Sequence, residues 1–304
     1  MIIPARSFVQ GLGNPMQYND DMMIPEMPAP LVVENEKSFA HMCADLAAQP
    51  AIAVDTESNS LHAYQERVCL IQISTRAQDY LVDTLALDSL DLLGGVFANP
   101  AIQKVFHAGD YDLTCLKRDY AFTFTNYFDT SIAAAAVGEE NLGLSTLLTK
   151  YFGFSVDKRY QRANWGKRPL DPEMLRYAQS DSHFLLPLRD HLLPRLEATG
   201  RLGMVLEDCA ALAQQTPPMK NHSEDVWRVK GINGMKPRAL SLLQQLNHLR
   251  EELARKQDVP LFKVMSDAAL VELATIQPKH IQELDLLPSL SKSQVRRYGK
   301  QIMQ

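Results

Sequence analysis

Cysteine is scarce in this chain and scattered where it occurs. Cys43, Cys69, Cys115 and Cys209 form no Cys-x-x-Cys pair, which argues against a thiolate metal site or a disulfide framework and fits reduced thiols in a cytoplasmic protein. Long apolar runs are missing as well. None approaches the ~20 residues that a membrane-spanning helix needs, and the opening Met-Ile-Ile-Pro-Ala-Arg-Ser-Phe lacks the basic-then-apolar pattern of a signal peptide. The expectation is a cytoplasmic chain without membrane contact. Nor is there a basic excess: 31 Lys and Arg stand against 36 Asp and Glu, a net charge of −5. A nucleic-acid partner would therefore have to be gripped by local basic patches. Hydrophobic residues, at 46% of 304, suffice for a substantial core, and the length points to two domains.

Residues 1 to about 30 are rich in Gly, Pro, Asn, Asp and Met without periodicity, and read as an N-terminal arm docked loosely on the surface. Regular signals begin at Leu31. Ser38 to Ala48 reads as a helix and Ala51 to Val54 as a short strand ending at Asp55; Val68 to Ile73 and Tyr80 to Val82 read as further strands. Ser89 to Phe97 looks helical, Lys104 to Phe106 strand-like, Tyr111 to Arg118 helical, and Asn126 to Phe128 adds a last strand. Helical stretches follow at Ser131 to Val137 and Leu144 to Phe152. Pro172 to Leu196 reads as one long helical pattern, with Asp171 as N-cap and Pro172 at the first position. Strands that give way to alternating strands and helices indicate an α/β layer fold with a mixed sheet.

Residues 201–236 read as a linker, helical in part over Leu202 to Ala213 and broken at Pro217-Pro218. From residue 237 to 304 the pattern is purely helical. Leu242, Leu246, Leu249 and Leu253 trace one apolar stripe, Ser266 can cap Asp267 to Ala274, Pro278 can open the next helix, and Ser291 with Gln294 forms a capping box.

Three acidic motifs carry the chemistry. In Ala-Ile-Ala-Val-Asp-Thr-Glu, Asp55 and Glu57 lie two residues apart on an extended segment and share one face. Asp112 follows the strand-like segment Lys104 to Phe106 in His-Ala-Gly-Asp-Tyr-Asp, at the start of a helix; Asp110 competes with it there, and helix-start acids also serve the dipole. Tyr177 and Asp181 are four apart on a helix and therefore neighbours. Each motif alone has an ordinary structural explanation. Four carboxylates brought together would resist ionising without cations between them, and hard oxygen ligands suit Mg²⁺ or Mn²⁺.

With these motifs in order, residues 31–200 resemble the DEDD exonuclease superfamily in its tyrosine-containing branch, most closely the ribonuclease D family and the catalytic exonuclease subunit of the nuclear exosome. Arg176 stands where the histidine branch carries its base. Cys69-Leu-Ile-Gln-Ile-Ser-Thr-Arg76 and Tyr160-Gln-Arg-Ala-Asn-Trp-Gly-Lys-Arg-Pro-Leu170 extend the similarity, and residues 237–304 resemble an HRDC domain, present once where some ribonuclease D proteins carry two. The resemblance implies a ribonuclease H-like mixed-sheet domain followed by a small all-α domain. It also implies a two-metal 3′-5′ exoribonuclease releasing nucleoside 5′-monophosphates, in 3′ maturation of tRNA or other stable RNA. Asp55, Glu57 and Asp181 would hold one ion, Asp55 and Asp112 the second, and Tyr177 would orient the attacking water.

For substrate grip, Arg162, Lys167 and Arg168 are candidate phosphate contacts, with Lys158 and Arg159 beside them and Trp165 and Tyr160 as a stacking surface; His107 is a further candidate near the second motif. Each has a structural alternative: a solvated loop, a core tryptophan, a satisfied histidine. Lys292, Arg296, Arg297 and Lys300 form a basic face in the helical domain. RNA is the expected partner. A DNA-directed exonuclease and a non-catalytic RNA-binding scaffold on the same fold are the alternatives.

Overall fold

The computed structural model of the protein describes residues 26–217 and 226–304. The arm expected over residues 1–30 falls outside it apart from its last five residues, and so does Pro218. The chain enters as strand β1 (Leu31–Val33) and helix α1 (Glu36–Ala47), the latter started by the Asn35 side chain accepting from Ser38 N. Strands β2 (Ala51–Ser58), β3 (Val68–Ser74) and β4 (Asp79–Asp83) form an antiparallel meander. Helix α2 (Asp91–Ala98), strand β5 (Gln103–Phe106), helix α3 (Asp110–Tyr120) and strand β6 (Tyr127–Asp129) then continue the sheet in parallel.

The resulting six-stranded mixed sheet runs β1-β4-β3-β2-β5-β6. Its central strand β3 is buried at every position, as a strand covered on both faces must be. Helices α4 (Thr130–Ala136), α5 (Leu144–Phe152), α6 (Pro172–His183), α7 (Leu185–Ala198) and α8 (Leu202–Gln214) complete the α/β unit. Val205, Cys209 and Ala213 of α8 join the same core as the sheet, and Lys117 Nζ donates to the carbonyls of Ala213 and Gln215 at 2.6 and 2.7 Å.

Two local expectations are corrected. Strand β2 does not end at Asp55 but runs on to Ser58, with a register shift between Glu57 and Ser58; three further ladder pairs after Asp55 hold it extended. The long pattern from Pro172 is two helices, broken at Phe184. Pro187 lacks the N–H that would bond to the His183 carbonyl, and its ring clashes with that carbonyl; in the first turn of a new helix it costs nothing. Phe184, fully buried, sits at the break.

The helical region consists of α9 (Pro237–Gln257), α10 (Leu261–Val264), α11 (Asp267–Ile276) and α12 (Lys292–Ile302). Ser266 caps α11 and the Ser291–Gln294 capping box starts α12 as expected. Pro278 does not open a helix; the next turn is a 3₁₀ segment, Ile281–Leu286. The leucine stripe is also displaced. Of its four members only Leu246 is fully buried, and the inward face of α9 carries Ala239, Leu243, Asn247, Arg250, Glu251 and Ala254 as well. The polar members are paired there: Arg250 donates to Asp267 at 2.7 Å and to Asn247 at 2.8 Å. Among the described residues no helix is long and apolar enough to cross a membrane.

The two cores meet through the β2–β3 loop. Tyr64 packs against the helical core, its hydroxyl donates to Glu251 Oε2 at 2.7 Å, and its N–H donates to Asp258 at 3.1 Å. Glu251 is completely buried, so removing its donor leaves a desolvated carboxylate. Tyr64→Phe is expected to lower stability by about 1–3 kcal/mol, with Glu251→Gln milder; urea unfolding of the three proteins checks this, and a Tyr64→Phe midpoint equal to wild type contradicts it.

Candidate active site

Asp55 and Glu57 alternate with Thr56 along β2, and the antiparallel register sets Asp55 opposite Gln72 and Glu57 opposite Leu70. Side chains directly opposed across such a pair share a face. Helix α6 crosses that face: Leu70 clusters with Tyr177 and Ala178, and Ser74 Oγ lies 2.8 Å from Ser182 Oγ. Two more bonds pin the helix. Gln179 Nε2 and His183 Nδ1 approach Asp79 Oδ2 at 2.6 and 2.9 Å. Burial favours the neutral form of Asp79, but hydrogen bonds from His183, Gln179 and Ser74 outweigh it and hold its pKa below the usual carboxylate value. Asp181 is thereby carried on a helix anchored on both sides of it.

Asp112 arrives from the opposite direction. The turn before α3 is clamped by Asp129, which accepts from Ala108 N at 3.0 Å and Gly109 N at 2.9 Å. Gly109 is required: a Cβ there would stand 2.8 Å from the Phe106 side chain. In the first turn of α3, Asp110 is exposed while Asp112 is half-buried, and the Thr56 hydroxyl donates to Asp112 Oδ1. The ambiguity between Asp110 and Asp112 is a matter of helical phase, which the anchored turn decides.

The four carboxylates feel one another. Burial first, then the charges of Asp112, Asp181 and Glu57, hold Asp55 well above the usual carboxylate pKa. Glu57 is raised by burial and by Asp181 and Asp112. Burial pushes Asp112 up to about 6 against the opposing hydrogen bond from Thr56, and pushes Asp181 up to about 7 against the bond from Tyr177. All four remain half-buried and open to water. As they stand, no three acidic, histidine or cysteine side chains among the described residues enclose an ion. Their donor chemistry nevertheless fits a hard divalent cation: carboxylate oxygens only, mutually repelling, on three separate elements. Asp55, Glu57, Asp112 and Asp181 are the residues that could hold it.

Tyr177 is buried, and burial followed by the charges of Asp181, Glu57 and Asp55 raises its pKa far above the ordinary phenol. Trp165 backs it, 1% exposed, ring centroids 6.0 Å apart and 30° from parallel; Tyr160 flanks it at 5.9 Å. Trp165 therefore presents no face to a nucleic acid, because its ring is used to pack Tyr177. Arg168 holds the tryptophan loop down. Its guanidinium donates to Asp83 at 2.5 and 2.7 Å and to the carbonyls of Cys69 at 2.8 Å and Trp165 at 2.7 Å, so its hydrogen-bonding groups are engaged within the protein. His107 is half-buried, its Nδ1 2.8 Å from Thr130 Oγ1, and burial lowers its pKa. Arg162 and Lys167 are exposed. Arg159 is paired with Asp157 at 2.6 Å. Thr56, Asp83 and Asp129 are positioning residues that sequence reasoning passed over; only Thr56, inside Asp-Thr-Glu, stood in a motif already singled out.

Two expectations follow from this electrostatic and packing arrangement. An unfolded Asp titrates near 3.9, below the folded values of Asp112 and Asp181, so the folded state binds protons more tightly. Stability of the metal-free protein is thus greatest at low pH from this source and falls as pH rises from about 4 through 7. Asp181→Asn should raise the melting temperature by a few degrees at pH 8, by clearly less at pH 5 and by almost nothing at pH 3, below both pKa values, measured calorimetrically; an equal shift at pH 8 and pH 3 contradicts the assignment. Second, in a Trp227→Phe background Trp165 is the sole tryptophan. Arg168→Gln should red-shift its emission and slow hydrolysis about tenfold to a hundredfold, the scale of a misplaced catalytic group. Slowed hydrolysis with unshifted emission would mean that Arg168 acts on substrate instead.

Residues 30–197 match the family model described as 3′-5′ exonuclease, and residues 239–304 match the HRDC domain. Ribonuclease D of Acidiphilium cryptum is 33% identical over 88% of this chain and 68% of its own length. The exosome complex exonuclease RRP6 of Saccharomyces cerevisiae is 34% identical over 83% of this chain, which spans 37% of that relative. Among solved structures, the catalytic core of RRP6 from Trypanosoma brucei superposes with a TM-score of 0.77 at 30% identity, covering 90% of this chain and 78% of that one. The chain belongs to the 3′-5′ exonuclease family, in the group that contains ribonuclease D and RRP6, and carries a C-terminal HRDC domain.

Proposed function

We propose that the protein is a metal-dependent 3′-5′ exoribonuclease that shortens RNA from its 3′ end to nucleoside 5′-monophosphates. The observation that carries this reading is the convergence of four mutually repelling, half-buried carboxylates from β2, α3 and α6. RNA as substrate is supported by the ribonuclease relatives. Single-stranded 3′ ends of structured precursors such as tRNA, and a cytoplasmic setting, are the finer parts of the proposal.

In this reading Asp55, Glu57 and Asp181 would hold one divalent ion, Mg²⁺ or Mn²⁺, and Asp55 with Asp112 a second. Bound there, such a pair supplies Lewis-acid stabilisation of the attacking and leaving oxygens. Tyr177, with its raised pKa, stays protonated at neutral pH and acts as a hydrogen-bond donor that orients water, not as a base. Thr56 keeps the Asp112 carboxylate aimed at the site. The exposed Arg162 and Lys167 and the exposed row Lys292, Arg296, Arg297 and Lys300 on α12 would meet phosphates; His107 and Trp165 would support the site from within, and Arg168 would support it through its bonds to Asp83 and the Trp165 carbonyl. The nuclease unit expected over residues 31–200 would take in α8 as well, which packs on its core, and residues 237–304 would form the accessory unit.

The test is a 5′-labelled single-stranded RNA incubated with Mg²⁺ or Mn²⁺, beside Asp112→Asn and an EDTA control and a matched DNA strand. A ladder shrinking from the 3′ end is expected with the unmodified protein alone, at least ~10²-fold faster than with Asp112→Asn. Intact RNA that is nevertheless bound would indicate a scaffold, and faster loss of the DNA strand a DNA-directed enzyme.

A further inference from the structure

Gln72 lies in the middle of the most buried strand and is itself 0% exposed. Among the described residues neither its Oε1 nor its Nε2 has a hydrogen-bond partner. Buried side-chain amides are ordinarily satisfied, and one left unpaired at both ends is destabilising relative to an apolar residue of the same shape. A sheet core would be better served by leucine or methionine, so the amide calls for a reason in its surroundings.

Its place in the ladder supplies one. Gln72 is directly opposite Asp55 in the β2–β3 register, a position from which side chains on one face come within about 4.5–5.5 Å at Cβ. Its same-face neighbours along β3 are Leu70, clustered with Tyr177 and Ala178, and Ser74, bonded to Ser182. Gln72 therefore lies beneath the turn of α6 that contains Asp181, between the two carboxylates contributed by strand and helix. On the other side it is opposite Leu81 of β4, which offers no hydrogen-bond partner in its side chain. Along its own strand the Ser74 hydroxyl is bonded to that of Ser182, and the polar group that the ladder sets directly opposite the amide is the Asp55 carboxylate.

We infer that Gln72 is a positioning residue of the metal site, its Nε2 donating to the Asp55 carboxylate when that carboxylate turns to ligate a divalent ion. Second-layer donors of this kind fix the rotamer of a ligating carboxylate, and losing one typically weakens metal affinity about tenfold to a hundredfold. The inference rests on the metal-dependent reading above and assigns to one buried amide part of the site's affinity. It also accounts for the type of residue: an arginine or lysine would neutralise the cluster, whereas an amide donates without adding charge.

The experiment is Mn²⁺ titration by calorimetry and by electron paramagnetic resonance of the full chain, without RNA, for the unmodified protein, Gln72→Met and Asp55→Asn, each with its metal-free melting temperature. Gln72→Met keeps the shape and removes the donor. It should fold with a melting temperature equal to or above the unmodified protein's, yet bind Mn²⁺ about tenfold to a hundredfold more weakly. Unchanged affinity in Gln72→Met, while Asp55→Asn loses binding, overturns the role of Gln72 and leaves the metal site standing. Affinity lost together with metal-free stability also overturns it, as the mark of a structural residue. Gln72→Leu is measured in parallel and decides by the same criteria if Gln72→Met does not fold. Absence of Mn²⁺ binding by the unmodified protein overturns the metal-dependent reading itself, and this inference with it.

Discussion

Crowding of negative charge is the constraint on which the rest of this structure depends. Asp55, Glu57, Asp112 and Asp181 are close enough to raise one another's proton affinity, and in a flexible setting such groups would move apart. Here each is carried by an element that cannot yield. Strand β2 is paired with β5 over Ala51–Ala53 and with β3 through Asp55 and Glu57, α6 is tied to Asp79 and Ser74, and the start of α3 is held by Asp129. Asp79 and Asp129 make an instructive contrast with the cluster. Both are buried acids with pKa values below the ordinary one, because hydrogen bonds outweigh burial. The fold thus contains two kinds of buried carboxylate: ionised ones that tie the frame together, and proton-retaining ones that the frame holds in opposition.

The same division of labour explains the aromatic residues around Tyr177. A phenol that is to donate a hydrogen bond near several acids must be fixed in orientation and kept from ionising. Burial against Trp165, Leu70 and Ala178 does both. Trp165 is fixed in turn by Arg168, whose charge is balanced by Asp83. In a basic, aromatic-rich loop that suggested a nucleic-acid grip, Trp165 is packed inside and Arg168, at the surface, spends its donors on Asp83 and on carbonyls of the protein, while Arg162 and Lys167 are exposed.

The loop that follows the acidic strand has a second attachment. Tyr64 reaches the helical core and satisfies Glu251, while Glu66, two residues on, accepts from Ser58, Tyr111 and Arg118. The segment leaving Glu57 is therefore held by α3 on one side and by α9 on the other. A carboxylate at the end of a long strand extension needs such support, because the ladder shifts register after Glu57.

Much was legible in the sequence because it is encoded locally. Asp171-Pro172, Ser266 and the Ser291–Gln294 box state helix starts through bonds within a few residues, and the apolar run of β3 announces a central strand. The acidic motifs could be ordered along the chain for the same reason. What the sequence left undecided depends on partners far away in it. Whether Asp110 or Asp112 turns inward follows from the clamp at Asp129; how Arg168 is engaged follows from Asp83, 85 residues earlier; and α9 buries Arg250 and Glu251 because partners on other elements meet them, with Arg250 in turn satisfying Asn247. Composition and periodicity by themselves determined the α/β layers and the helical character of the C-terminal region, and the order of the acidic motifs, through the family resemblance it carries, pointed to the carboxylate chemistry. Only the tertiary structure decided which charges are neutralised internally and which are left to act, since the sign of a buried polar group's contribution is set by what it meets.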